Sequence, residues 1–465
     1  MRFKKISLNV LFLLLSTFAM SQNLEVISLK DAVNYALENK AEAKKAELLI
    51  ENSEYLIQEA RAGALPKINA HGGITYNPIL QETAIPSSSF PGGEANPDPF
   101  IVLAMGQEWN SVAGVVLEQN LFDQTVFTGL KAAKTTREFY LINAQLTEEQ
   151  VIERVATAYY NVFVQKEQLN TIEESLQNVE KTRDIIKSLY ENGLAREIDL
   201  DRVEVQLTNL MSTRQQLLNA VQLQENALKF YMGMPIEQNI KLLDEDFQVE
   251  ELLLAESIDT ENRTEFKLLK KQEELLQLQK EAFKAAYYPK LSLSASYNYL
   301  GQGERFPIGA GLDKGVYWSD FSAISLNLQI PIFNGFAIKS KVNQADIELR
   351  TIEQEIINSK LGLDLEYRNS KSQIENAIIA IDGQRDNVEL AEKVVNNTNN
   401  NYQLGLATLT DLIEAENALV NAKNNYSSAV LQFKLAEIQL LKSKGERSFA
   451  KGNIKQPANI IYPNM

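Results

Sequence analysis

The 465 residues include 46 Lys/Arg against 61 Asp/Glu, a formal charge of −15, with no cysteine and a single histidine, His71. The acid excess argues against a nucleic-acid binder, which needs a basic face; zero Cys removes disulfides, thiolate zinc sites, iron–sulfur clusters and an acylated N-terminal cysteine, and one His leaves little for a histidine metal site or a His-dependent triad. With only 12 Pro, 21 Gly and 8% aromatics, the composition predicts long regular elements rather than a large compact core.

In chain order, Arg2, Lys4 and Lys5 precede an apolar run from Val10 to Leu15, and Ala19 and Ser21 stand in a small-x-small arrangement. Residues 1–21 therefore read as a secretory signal peptide, cut before Gln22. The run is too short to span a bilayer, and no later stretch approaches the roughly 20 apolar residues of a membrane helix, so any membrane insertion falls to β-strands. A helix is expected next, then strands over 67–77 and 109–120. Ile68, Ala70, Gly72, Ile74 and Tyr76 alternate with Asn69, His71, Gly73 and Thr75; the second strand alternates less cleanly. Pro86 to Pro99, rich in Pro, Gly and Ser, reads as a loop. A long helix over 124–191 contains no Pro; at 1.5 Å per residue it would run on the order of 100 Å. A turn at 192–196 and a helix over 197–231 follow.

After 232–262 the pattern starts again: a helix, strands over 289–300 and 318–330, a long helix over 336–403, a turn at 404–407 and a helix over 408–445, with a tail at 446–465. Leu291, Leu293, Ala295, Tyr297 and Tyr299 share one strand face, and Ser292, Ser294, Ser296 and Asn298 the other. This is the period-two signature of a strand between an apolar medium and water, with Trp109, Tyr299 and Trp318 as girdle candidates. Four strands cannot close a barrel, for which about eight is the practical minimum, so several chains must pool them or the strands lie outside a membrane. Tyr190-Glu-Asn-Gly193-Leu194-Ala195 with Asp199-Leu200 recurs 212 residues on as Tyr402-Gln-Leu-Gly405-Leu406-Ala407 with Asp411-Leu412. The chain thus reads as two copies of one unit, 22–231 and 263–445. Leu412, Ala415, Leu419, Ala422, Tyr426, Ala429, Phe433, Ala436 and Leu440 follow alternating spacings of three and four, a heptad seam with small residues.

These motifs (the Tyr-x-x-Gly-Leu-Ala-x-x-x-Asp-Leu turn in both halves, Pro-Lys opening a strand in both halves, and Pro331-Ile332-Phe333-Asn334-Gly335 after the last strand) resemble the TolC-type outer-membrane efflux protein family. The resemblance implies a mainly α fold with a small β part. A homotrimer would form an α-helical barrel in the periplasm and a 12-stranded β-barrel in outer-membrane lipid, with 232–262 and the tail as an equatorial region. It also implies a passive exit duct, without cofactor or catalysis, docked to a periplasmic adaptor (membrane fusion) protein and an inner-membrane pump of RND or ABC type. The tips Gly193, Leu194, Ala195, Gly405, Leu406 and Ala407 would be the adaptor-docking points. The acidic pair that lines the family's periplasmic entrance falls on Asp411 and Glu414; Asp199 and Arg202 are the matching residues of the first copy. Asp411 and Glu414 equally fit an acidic first helical turn complementing the helix dipole. Ala407 stands where an entrance-latching Arg is found in the family, so closure by the same contacts is not expected.

Other readings fit less of the chain. A structural periplasmic coiled coil explains the helices but not the alternating strands at matching points. A type I protein-secretion duct shares the architecture. For an enzyme there is only Gly301-Gln-Gly303-Glu-Arg-Phe306, which lacks the third glycine of a dinucleotide fingerprint.

Overall fold

The computed structural model describes residues 25–91, 98–243 and 259–445. The signal peptide 1–21, part of the 86–99 loop, the middle of the 232–262 connector and the 446–465 tail lie outside them. The described helices are α1 (Leu29–Asn39), α2 (Ala41–Ala62), α3 (Gln124–Glu191), α4 (Glu197–Met232), α5 (Thr264–Ala285), α6 (Ala337–Gln403) and α7 (Leu409–Lys444). The strands are β1 (Glu25–Ile27), β2 (Lys67–Tyr76), β3 (Gln81–Pro86), β4 (Phe100–Met105), β5 (Trp109–Phe122), β6 (Ile240–Leu242), β7 (Lys290–Gly303) and β8 (Val316–Gln329). Among the described residues, no helix is long and apolar enough to cross a membrane. The chain divides into two compact units, one of Met1–Ile50, Tyr140–Lys270 and Gln354–Met465, the other of Glu51–Phe139 and Lys271–Glu353.

The second unit holds a four-stranded antiparallel sheet in the order β2-β5-β7-β8. Register explains its two faces. Ile68 stands opposite Leu117, Leu117 opposite Ala295 and Ala295 opposite Ile324; Leu293 pairs with Leu326 and Leu291 with Leu328. One face is therefore mainly apolar across all four strands, with Ser111, Ser322 and Asp320 interrupting it, and Ile68, Ile324, Leu326 and Leu328 on it are exposed. The other face carries Asn69, His71, Ser292, Ser294, Ser296, Ser325 and Asn327. At the end of the sheet away from the helices, aromatic rings cross the apolar face: Tyr76 lies 4.5 Å from Trp109, and Tyr299 stacks on Trp318 at 4.9 Å. Strands of 10 to 14 residues reach the length a tilted membrane strand requires.

A second hairpin, β3–β4, continues beyond β2 and β5. It was not expected from a segment whose centre reads as Pro/Ser loop. Phe100-Ile101-Val102-Leu103-Ala104-Met105 supplies an unbroken apolar strand, and Asn77 bridges the two pairs of strands by donating its amide N–H to the Glu108 carbonyl and its side chain to Gln107.

In the first unit the helices pack through narrow apolar seams. Leu412, Ala415, Ala422, Ala429, Phe433, Ala436 and Leu440 of α7 are all buried. Phe433 and Leu440 pack with Tyr367, Ile374 and Ile381 of α6. A separate core joins α1, α3 and α4 with β1 and β6, which pair in parallel. The opening of α5 is tied in by Arg263, 2% exposed, whose guanidinium donates to Glu265, to Glu366 of α6 and to the Ser443 carbonyl of α7. Lys442 adds ion pairs to Glu153 and Glu366.

Candidate functional site

The two turns between long helices have the same build. α3 ends with the Gly193 N–H donating to Tyr190 O and the Leu194 N–H to Leu189 O; α6 ends with Gly405 N–H on Tyr402 O and Leu406 N–H on Asn401 O. This paired arrangement is the Schellman stop, which needs a left-handed residue at its glycine position. Gly193 at φ 72° and Gly405 at φ 73° supply it without a Cβ penalty. Leu194 and Leu406 then project into solvent, each 76% exposed, while Ala195 and Ala407 are half-buried.

The helices leaving the turns start differently. At α7, Thr408 Oγ1 accepts from the Asp411 N–H at 3.2 Å, and Asp411 Oδ2 accepts from the Thr408 N–H at 2.8 Å and its hydroxyl at 2.7 Å. This reciprocal capping box satisfies two orphan donors of the first turn. The Thr408 N–H and hydroxyl hold the Asp411 carboxyl below its ordinary range, so it is ionised at neutral pH. At α4, Arg196 occupies the cap position without a side-chain cap, and its guanidinium makes a bidentate pair with Asp199 at 2.9 and 3.1 Å. The two copies of the motif thus use their matching acids in opposite ways. Asp411 closes its own helix start; Asp199 holds an arginine.

The structure brings the two turns' neighbourhoods together through three observations. Arg202 of α4 donates to Thr410 Oγ1 of α7 at 2.9 Å. About one helical turn further along α4 and two along α7, Gln206 donates to Asn417 at 2.7 Å. Burial, with the Asp199 charge, pushes the Tyr402 phenol up. Beneath them lies an apolar core of Ile172, Leu176 and Ile186 from α3, Val203 and Leu207 from α4, and Leu409 from α7. Charged pairs flank it, Lys423 with Glu174 at 2.9 Å and Arg214 with Glu173 at 2.8 Å. Glu414 is exposed on the same side of α7 as Asp411, since residues three apart share a helix face.

Sequence reasoning missed Glu416. It is half-buried, and burial pushes its carboxyl up to about 6. Nothing in its spacing distinguishes it from Glu414; only the packing of α7 does. The Arg202–Thr410 bond was also missed, because its partners lie 208 residues apart. Among the described residues, no group of three or more His, Cys, Asp or Glu is arranged to hold a metal.

A sheet with one mainly apolar and one polar face, in a chain whose very long helices stop at exposed turns, is the build of an outer-membrane channel chain. The chain belongs to the outer membrane efflux protein family, whose model matches residues 32–234 and 260–446. It is 22% identical over 348 residues to the outer membrane protein TolC of Vibrio cholerae, covering 72% of this chain and 77% of that protein. It is 21% identical over 402 residues to the TolC of Escherichia coli, covering 84% and 76%. The crystal structure of the Campylobacter jejuni CmeC outer membrane channel superposes with a TM-score of 0.72 at 16% identity, covering 90% of this chain and 85% of that one. The protein is accordingly an outer-membrane efflux protein with the TolC-like fold.

Proposed function

We propose that three copies of this chain assemble into a passive efflux duct, with β2 of each copy pairing with β8 of the next. The observation that carries this reading is the four-stranded sheet itself. Its apolar face runs through all four strands, and its outer strands β2 and β8 each pair on one side only, with β5 and β7, leaving their outer edges unpaired among the described residues. Long unpaired edges are aggregation-prone and are stable in lipid only when a barrel closes. Twelve pooled strands exceed the minimum for closure. In this reading the chain is a duplicated unit, 22–231 and 263–445, exported by its signal peptide. Its helices form the periplasmic tunnel, and 232–262 with the tail forms the equatorial region. The exposed Leu194 and Leu406 tips dock a periplasmic adaptor, which links the duct to an inner-membrane pump of RND or ABC type. The pump supplies the energy.

Asp411 and Glu414 of three chains then form a ring of six carboxylates at the periplasmic entrance. Like charges at close range oppose ionisation and attract cations. The capping box gives Asp411 a lowered starting point against that repulsion. The test has two parts. Mass in detergent measures the trimer; a monomer removes the reading. Planar-bilayer recording then compares wild type with Asp411→Ala/Glu414→Ala. Higher conductance and weaker cation selectivity are expected, and unchanged values remove the entrance assignment.

A further inference from the structure

We propose that the β3–β4 arm of one copy packs on the β7–β8 loop, residues 304–315, of the neighbouring copy, clasping the barrel seam at its outer end. The proposal rests on the trimeric reading and adds a specific contact to it.

The arm is a two-stranded ribbon with apolar side chains on both faces. Register places Ile85, Ile101, Leu103 and Met105 on one face and Ala84, Pro86, Val102 and Phe100 on the other. An isolated ribbon of this kind is marginal in water and needs cover. Yet Val102 is 55% exposed, and Ile79 at the base of the arm is 88% exposed. The 304–315 loop carries a second uncovered apolar set, with Ile308 at 65% and Leu312 at 77%.

The chain's own loop already flanks the arm on the β5 side, where Phe306 meets Trp109 edge-on at 5.3 Å, and still leaves these side chains uncovered, so the cover must come from the β2 side. Arm and loop lie at the same end of the sheet, beyond the Tyr76–Trp109 and Gly303–Val316 pairs. The arm springs from β2 and β5, on the β2 side; the loop leads into β8, the opposite edge. When the β2 edge of one copy meets the β8 edge of the next, the arm of the first stands beside the loop of the second. Charge favours this partner over the anionic lipid surface. The stretch 77–108 contains Glu82, Glu94, Asp98 and Glu108 but no Lys or Arg, so the arm has no cation for a lipid phosphate. Across 77–108 and 304–315 the only cations are Arg305 and Lys314, both in the loop, where Glu304 and Asp313 balance them overall.

Cysteine cross-linking in native membranes tests the contact, and the cysteine-free chain gives a clean background. Two double variants of the full chain are used, Val102→Cys with Ile308→Cys and Ile79→Cys with Leu312→Cys, all at exposed positions. After mild oxidation and complete denaturation without reductant, at least one double variant should migrate as a covalent trimer while each single variant stays a monomer. Adding Arg305→Glu and Lys314→Glu should lower the yield. Both doubles remaining monomeric in a protein that still sediments as a trimer overturns the proposal and leaves the arm on its own chain's loop or on lipid. Cross-linking of Val102→Cys alone also overturns it, because the three arms then meet one another. A wild-type protein that is itself monomeric in detergent overturns the trimeric reading, and this contact with it.

Discussion

Asp411 has a local role as a cap and a proposed collective role as a charge, and three variants separate them. Thr408→Ala removes the hydroxyl that accepts from the Asp411 N–H and donates to its carboxylate, while leaving the charge in place. Loss of a Thr cap costs about 1 kcal/mol, roughly a fivefold rise in opening of the first turn of α7. Asp411→Asn keeps an acceptor for the Thr408 N–H and removes the charge. Asp411→Ala removes both. Hydrogen exchange of the amides of residues 409–412 reads the cap, and bilayer selectivity reads the charge. Thr408→Ala should raise exchange about fivefold, the counterpart of that cap loss, with selectivity near wild type. Asp411→Asn should do the reverse, and Asp411→Ala both. If Asp411→Asn leaves selectivity unchanged, the carboxylate is a cap alone. If Thr408→Ala leaves exchange unchanged, the capping box contributes nothing to the helix start.

The pH dependence of the same cap follows from the direction of the shift. A carboxyl lowered by folding contributes stability that is present above its unfolded pKa, about 3.9, and is lost as pH falls through the lower folded value. The first turn of α7 should therefore hold constant protection from neutral pH down to about 4 and fray below it in wild type, but not with this profile in Asp411→Asn.

Glu416 has the opposite sign. Burial raises it to about 6, so its ionisation opposes folding; protection of α7 should fall as pH rises from the unfolded value, about 4.3, through the folded one, and Glu416→Gln should abolish that dependence in exchange measured across the range. Arg263→Ala leaves Glu265 and Glu366 facing an emptied, buried position. Breaking a fully buried pair from one side costs about 3–5 kcal/mol; the loss here should fall below that, because Glu265 and Glu366 are partly exposed and Lys442 still faces Glu366. It is read as a lowered unfolding midpoint, and Arg263→Lys should restore little because a lysine cannot reproduce the fork to both acids and the Ser443 carbonyl. At the tips, Leu406→Asp should abolish cross-linking to the adaptor and transport while the trimer persists, since Leu406 is 76% exposed and its side chain is not part of the chain's buried core; normal adaptor cross-linking would remove the docking assignment.

What could be read from the sequence was what depends on neighbours a few residues away. Gly193 and Gly405 stand out because a Schellman stop needs a left-handed residue at one position, and α3 and α6 end two residues before them. The sheet's two faces were legible because alternation is a property of each strand alone; the register merely aligns Leu293 with Leu326. The β3–β4 hairpin was not, because Gln81-Glu82-Thr83-Ala84-Ile85-Pro86 has no clean alternation and becomes a strand by pairing with the apolar run at Phe100–Met105. Arg202–Thr410, Arg263–Glu366 and the burial of Glu416 depend on helices distant in sequence lying side by side. The candidate entrance falls across this divide. An Asp at the third position of a helix is legible as a cap, and within one chain the structure uses it as one. Its second role needs copies of the chain around it, so only a substitution that keeps the cap and deletes the charge can report on it.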